Sequence, residues 1–403
     1  MIEVIRIALV FLLIVILVVR KWQLGWVMVI VSVFVGALYL MGPHRIVGNL
    51  VVGAIDPTTL YLVAVIYLVY VIGNTQQRSD SLRKVLDALK SFVRNRKIIL
   101  ISIPTLVGLL PMPGGALFSA PSVQEMGREL DLSGERKTIV NYWFRHYWEW
   151  VLPLYPGIIL ASSIVGVPER TVIIANSPLF LAAVIIGFVP LRGISSGSRV
   201  GGGHGAWRGL RSLVANVWPI PVVIFCVIVF SWKLIYVLIG VILLLWIVER
   251  MSWSDIFAIL KQSMRIGTLG LVISVMVFKH MLEVTKAAEG FADYLVVQQV
   301  STGAVLFIVP FVVGMLTGIT QAFVGATFPM LIPLMVTNVV HQDRLMLAYC
   351  GGFCGVLLSP THLCLVLTKD YFRADFAKVY QQLIPLVLFV ILAGVFVYLI
   401  RGA

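Results

Sequence analysis

Charge is what this sequence has least of. Only 12% of its 403 residues are Asp, Glu, Lys or Arg, about half the share in an ordinary soluble domain. That scarcity excludes a disordered chain, which needs high charge and low hydrophobicity. It also excludes a soluble enzyme with a charged surface. Histidine is scarce, with six residues, and so is cysteine, with four. Cys226, Cys350, Cys354 and Cys364 all lie in apolar stretches. Cys350 and Cys354 stand one helical turn apart, but no His or further Cys lies at zinc-ligand spacing. All four therefore read as small core residues, and a secreted disulfide scaffold is excluded. No Walker-type phosphate loop is present, and no paired-carboxylate or His-rich ligand set. Nothing implies a metal, a cofactor, an ATP-driven pump or an enzyme.

Apolar residues are abundant, at 60%. Their runs are too many for one soluble core, which stops growing beyond about 250–300 residues. The chain reads as an all-α polytopic membrane protein, in which a span needs about 20 apolar residues. The first run, Ile5–Val19, has neither a basic leader nor a small-residue cleavage site, and reads as a retained span. Spans follow from there near 4–20, 24–41 and 58–73, then an amphipathic stretch at 79–97. An apolar segment at 98–126 is broken by Pro111-Met112-Pro113-Gly114-Gly115. A helix from 138 is broken at Pro153-Leu154-Tyr155-Pro156-Gly157 and resumes to about 166. A span at 170–190 closes the half.

Residues 193–212 are rich in Gly, Ser and Arg and read as a cytoplasmic linker. The order then recurs. Spans lie near 214–231, 233–249 and 267–285, with an amphipathic stretch at 287–299. An apolar segment at 302–336 is broken at Thr317-Gly318-Ile319-Thr320-Gln321. A helix from 344 is broken at Ser359-Pro360-Thr361-His362 and resumes to 369, and a span at 377–400 follows. At a shift of 206, Pro104/Pro310, Val107/Val313, Gly108/Gly314, Leu110/Leu316, Ala116/Ala322 and Ala120/Ala326 coincide. At a shift of 207, Pro153/Pro360, Pro178/Pro385 and Gly187/Gly394 do. The expected organisation is two repeats, 1–192 and 213–403, each of five spans plus a re-entrant hairpin.

The net charge of +13 is an orientation signal in such a chain, because cytoplasmic loops collect Lys and Arg. There is no basic stripe to suggest nucleic acid. With five crossings per half the second repeat is inverted, and 22 of the 31 basic residues fall on one side and seven on the other. That sorting predicts a plasma (inner) membrane protein with both termini outside. Counting either hairpin as a crossing spoils it.

Non-helical backbone survives at membrane depth only where it is buried in protein or lines a cavity. Breaks in matching places in two repeats point to a transporter's binding site. Half-helix N-termini favour anions, and unwound carbonyls at the hairpin tips could hold Na⁺. The candidates for substrate contact are Pro113, Gly114, Gly115 and Ser119 in the first hairpin, and Thr317, Gly318, Thr320 and Gln321 in the second. Tyr155, Ser359, Thr361 and His362 are candidates from the broken helices. Ionisable residues at membrane depth are functional candidates by default. Arg145, His146 and Glu149 precede the first break, and Arg145 and Glu149 are one turn apart and can pair. Arg145 would offset a substrate's charge; His146 and Glu149 are the proton-coupling candidates. Lys279 and Glu283 read as a structural pair near the end of a span. Gly351, Gly352 and Gly355 read as a surface for close helix contact.

This arrangement resembles the ion-transporter superfamily, which includes divalent-anion/sodium symporters and gluconate permeases. The string Ile103–Pro121, which carries Pro111-Met112-Pro113-Gly114-Gly115, closely resembles an uncharacterised prokaryotic integral-membrane family with a domain-of-unknown-function label. The resemblance implies a homodimer and an elevator motion of hairpins and broken helices against a scaffold. Sodium/dicarboxylate symporters carry Ser-Asn-Thr at each hairpin tip, and neither tip here does, so their specificity and coupling do not transfer. The expected function is secondary transport of a small organic anion, a carboxylate, coupled to H⁺ or Na⁺. The alternatives are an ion or solute channel, which would want a continuous polar pore although no span shows a polar stripe, and, ranked behind it, a membrane-embedded enzyme.

Overall fold

The computed structural model describes residues 2–93, 95–110, 115–194 and 206–402. Among them the chain is helical throughout, with one isolated bridge between Val336 and Val340. The first half runs α1 (Ile2–Val19), α2 (Leu24–Leu38), α3 (Pro43–Ile55), α4 (Pro57–Arg78), α5 (Ser81–Phe92), α6 (Arg96–Gly108), α7 (Ala116–Glu129), α8 (Gly134–His146), α9 (Pro156–Val165) and α10 (Glu169–Gly187). The second runs α11 (Ala206–Val217), α12 (Pro219–Ile228), α13 (Leu234–Val248), α14 (Trp253–Ser263), α15 (Ile266–Thr285), α16 (Ala287–Val297), α17 (Thr302–Thr317), α18 (Thr320–Met335), α19 (Gln342–Leu358), α20 (Leu363–Phe372) and α21 (Phe376–Gly402).

Local chemistry sets many of these boundaries. Asp56 accepts from the Thr58 amide and Pro57 opens α4, a standard N-terminal arrangement. Ser133, Ser252 and Ser301 cap α8, α14 and α17 in the same way. Among the described residues, five stretches are long and apolar enough to cross a membrane: α4, Glu169–Leu191, α15, Gln342–Phe372 and α21. Shorter apolar helices include Ile5–Val19, α2 and α13. Trp26, Tyr236, Ile247, Leu392 and Phe396 are exposed, which suits a surface facing lipid. The chain is an all-α polytopic membrane protein.

Three features differ from the sequence reading. The apolar run expected as one span at 214–231 bends by 54° at Trp218, where α11 gives way to α12. Trp218 is followed by Pro219, which has no amide hydrogen to continue the helical ladder. Amphipathic α11 packs on α5, so the last residues of the expected linker 193–212 are helical; 195–205 lie outside the described residues. Second, α3 and α14 occupy stretches between spans to which the sequence reading assigns no element. Each is half-exposed and broken by polar residues, which hides its period. Third, the first break is wider than expected. Helix α8 ends at His146, Tyr147–Trp150 form a 3₁₀ turn, and α9 starts at Pro156. Glu149 therefore lies on the turn and not on the helix.

The halves pack on each other reciprocally. Helix α2 lies on α15 and α13 on α4; α3 lies on α15 and α14 on α4; α9 lies on α18 and α20 on α7; α8 lies on α21 and α19 on α10. Close approaches recur at aligned positions. A β-carbon on Gly108 would lie 2.3 Å from the Arg145 carbonyl oxygen, and one on Gly314 2.1 Å from that of Gly352. Gly187 faces Trp143, and Gly394 faces Cys350.

Candidate functional site

Each break contains a proline, which removes a donor. Pro153 has no N–H to give the Glu149 carbonyl, its partner in an unbroken helix. The Tyr349 hydroxyl takes that place at 3.0 Å. At the other break α19 ends at Leu358, and the Leu357 carbonyl accepts from the Tyr142 hydroxyl at 3.0 Å. Tyr142 and Tyr349 are 207 residues apart, the register of the aligned prolines. Each half thus satisfies an orphan carbonyl of the other, as buried backbone requires.

Between the breaks lies a cavity of about 1080 Å³. Its floor holds Arg145, His146, Glu149, Tyr155, the turn Thr317–Gln321, Thr361, His362 and Cys364. Its walls come from the α1–α2 turn, with Lys21 and Trp22, and from the start of α15. Lys21, Trp22 and Ile266 are exposed, so the cavity opens on that side. The first turns of α9, α18 and α20 all face it.

The floor is a connected polar cluster. His146 Nδ1 lies 2.6 Å from the Tyr142 carbonyl oxygen, and His362 Nδ1 lies 2.7 Å from that of Gly318. The two Nε2 atoms are 3.1 Å apart. Arg145 Nη1 donates to His146 Nε2 at 3.2 Å and to Cys364 Sγ at 3.4 Å. The Thr320 hydroxyl donates to Glu149 Oε2 at 2.9 Å. Glu149 Oε1 stands 3.9 Å from His146 Nε2. Glu149 is thus held by Thr320 and faces His146, and the Arg145 guanidinium turns to His146 and Cys364 instead of forming the expected pair with Glu149. All six side chains are buried. His146 Nε2, His362 Nε2 and Cys364 Sγ lie within 4.8 Å of one another, a grouping that by count suits a metal ion. Arg145 directs N–H groups at two of these three atoms, so lone pairs that a metal ion would need are already engaged.

The remaining candidates divide. Pro113 and Gly114 lie outside the described residues. Gly115 is buried just before α7. Ser119 is buried away from the cavity, donating to Asn141 Oδ1 at 2.6 Å. Thr317, Gly318, Gln321 and Thr361 line the cavity. Ser359 does not; its hydroxyl accepts from the Thr361 amide at 3.3 Å and braces the break. Lys279 pairs with Glu283 at 3.3 Å, and His280 contacts Asn49. Sequence reasoning missed Cys364, Asn141 and the paired tyrosines. Only the 207-residue spacing of Tyr142 and Tyr349 could have signalled them.

A family model described as "Protein of unknown function (DUF401)" matches residues 4–400. The crystal structure of the Alcanivorax borkumensis YdaH transporter superposes with a TM-score of 0.61 at 12% identity, covering 97% of this chain and 98% of that one. At that identity the likeness speaks for the fold. No curated protein matches the sequence.

Proposed function

The chain belongs to the DUF401 family, and from its geometry we propose that it is a secondary active transporter of a small organic anion, a carboxylate, coupled to H⁺ or Na⁺. One observation carries the reading. Three half-helix N-termini, those of α9, α18 and α20, face one cavity that also holds Arg145, His146 and His362. Helix N-termini present free amide hydrogens and the positive end of the helix dipole. With the guanidinium they make a floor that favours an anion, built from both halves of the chain. A volume near 1080 Å³ is ample for a small ligand. The YdaH transporter's shared fold supports transport as the use of that site.

The mirrored packing supports two inverted repeats. In this reading the hairpins α6–α7 and α17–α18 re-enter the membrane and move, with the broken helices, against a scaffold of outer spans in a homodimer. The cavity mouth lies beside Lys21 and the start of α15, on the side that collects basic residues, which makes the state inward-facing.

Uptake in proteoliposomes tests the reading. A panel of labelled carboxylates is offered under imposed pH and Na⁺ gradients. At least one should accumulate against its own gradient, which a channel cannot do. Arg145→Ala should reduce that uptake at least tenfold, the loss of one charge-assisted contact of about 1.5–3 kcal/mol. If no carboxylate accumulates under either gradient, the substrate assignment fails.

A further inference from the structure

We propose that His146 and His362 hold one proton between their Nε2 atoms, and that this proton latches the two broken helices together. A carbonyl oxygen can only accept, so the Nδ1 atoms bonded to Tyr142 and Gly318 both carry hydrogen. A neutral imidazole has one N–H. With both hydrogens on Nδ1, both Nε2 atoms are bare lone pairs, and they face each other at 3.1 Å. Two acceptors do not rest at that distance. One added proton turns the contact into an ordinary N–H···N hydrogen bond and makes one ring an imidazolium. Arg145 already donates to His146 Nε2, so the added proton belongs on His362, and His146 accepts from both.

The Arg145 guanidinium beside His146 opposes a second positive charge, and a carboxylate and an aromatic ring offset it. The Glu149 carboxylate faces His146 at 3.9 Å from the turn after α8. The Tyr142 ring lies against both imidazoles, with centroids 4.4 and 5.5 Å away. Cys364, at the start of α20, places its sulfur within 4.8 Å of both imidazoles and accepts from Arg145. Tyr155 hydrogen-bonds away from the pair, to the Gly108 carbonyl. A metal ion between the rings would need the lone pairs to which Arg145 donates.

The latch spans the two halves. His146 ends α8, while His362 precedes α20 and is tied through Gly318 to the turn of the second hairpin. Loss of the proton leaves two lone pairs in contact and drives these elements apart. Resting on the transport reading above, this names H⁺ as the coupling ion: an anion beside Arg145 and the imidazolium is held more tightly when the proton is present, so the two enter and leave together.

The test is ¹⁵N NMR of the full chain in lipid nanodiscs, labelled at histidine, at about pH 7.5, roughly one unit above the ordinary imidazole pKa. Imidazolium nitrogens and bare lone-pair nitrogens are readily told apart. The wild type should show one imidazolium per chain. His362→Gln should abolish it while keeping the fold, because the Gln amide can still donate to His146. Two neutral rings in the wild type, or about one transition-metal ion per chain by elemental analysis of the same sample, would overturn the latch. Neutral rings in a protein with gradient-driven uptake would sink the latch alone. An imidazolium in a protein that accumulates no anion would sink the transport reading and leave the latch standing.

Discussion

Tyr142 and Tyr349 each give a hydroxyl to the half of the chain they do not belong to. Both rings are fully buried, and each hydroxyl bonds a carbonyl that a helix break has orphaned. Removing only the oxygen keeps the ring in place and strands the carbonyl away from water, which costs about 1–3 kcal/mol. Tyr142→Phe and Tyr349→Phe should each lower stability by that amount in reversible denaturation of the solubilised protein. A loss below about 0.5 kcal/mol for both would mean that the breaks are satisfied some other way. The sequence pointed to much of the cavity floor at this scale. Arg145, His146, Glu149 and His362 are conspicuous because charge is rare in an apolar chain. Cys364 was not legible, since an apolar context makes a cysteine look like packing, and only the fold brings its sulfur beside Arg145. Asn141 was lost for a related reason. It sits among large aromatics, and its bonds to Ser119 and the Ala116 carbonyl cross from α8 to α7. Ser119 reads as a ligand group from sequence alone because a hydroxyl near a hairpin tip carries no mark of where it points.

Helix against helix, the closest fit is α17 on α19. A β-carbon on Gly351 would lie 2.2 Å from the Phe307 carbonyl oxygen, and one on Gly355 2.3 Å from that of Phe311. These are backbone atoms within a helix and cannot swing aside. The small-residue spacing in the sequence foretold close contact here, though not the partner helix. Gly351→Ala and Gly355→Ala should each destabilise by about 1–3 kcal/mol or more through overpacking. Gly240, in α13, meets nothing within 4 Å, so Gly240→Ala should be neutral or mildly stabilising by virtue of helix propensity. Melting curves and the monodisperse fraction on size exclusion separate these cases. Equal behaviour at 240, 351 and 355 would contradict the close packing. Apolar run length was a good guide to α4, α10, α15 and α21, because a membrane span declares itself by composition alone. It failed for α3, α11 and α14, whose polar or half-exposed faces give no long run and whose packing is decided by the other half of the chain.

For the whole molecule, charge sorting and the arrangement of breaks make one joint statement about topology. If α1, α2, α4, the α8–α9 pair and α10 cross the membrane and the first hairpin re-enters, the first half crosses five times. The second half does the same with α12, α13, α15, the α19–α20 pair and α21. Ten crossings place the two termini on one side, and the odd number per half places the 193–212 linker on the other. If each hairpin counted as a crossing, the termini would still share a side, but the linker would join them, and the halves would run parallel. The linker is therefore the discriminating position. Reporters fused at both ends should read outside. A cysteine introduced by Ser198→Cys, in a Cys226→Ser, Cys364→Ser background since Cys350 and Cys354 are buried and Cys364 lines the open cavity, should react only with a reagent admitted to the cytoplasmic side. Labelling of that cysteine from outside, together with the termini, would undo the inversion. The two hairpins would then no longer meet the broken helices from opposite faces. The convergence of α9, α18 and α20 on one cavity would need a different explanation, because the proposed inversion is what would bring the N-termini of half-helices from both halves to the same depth.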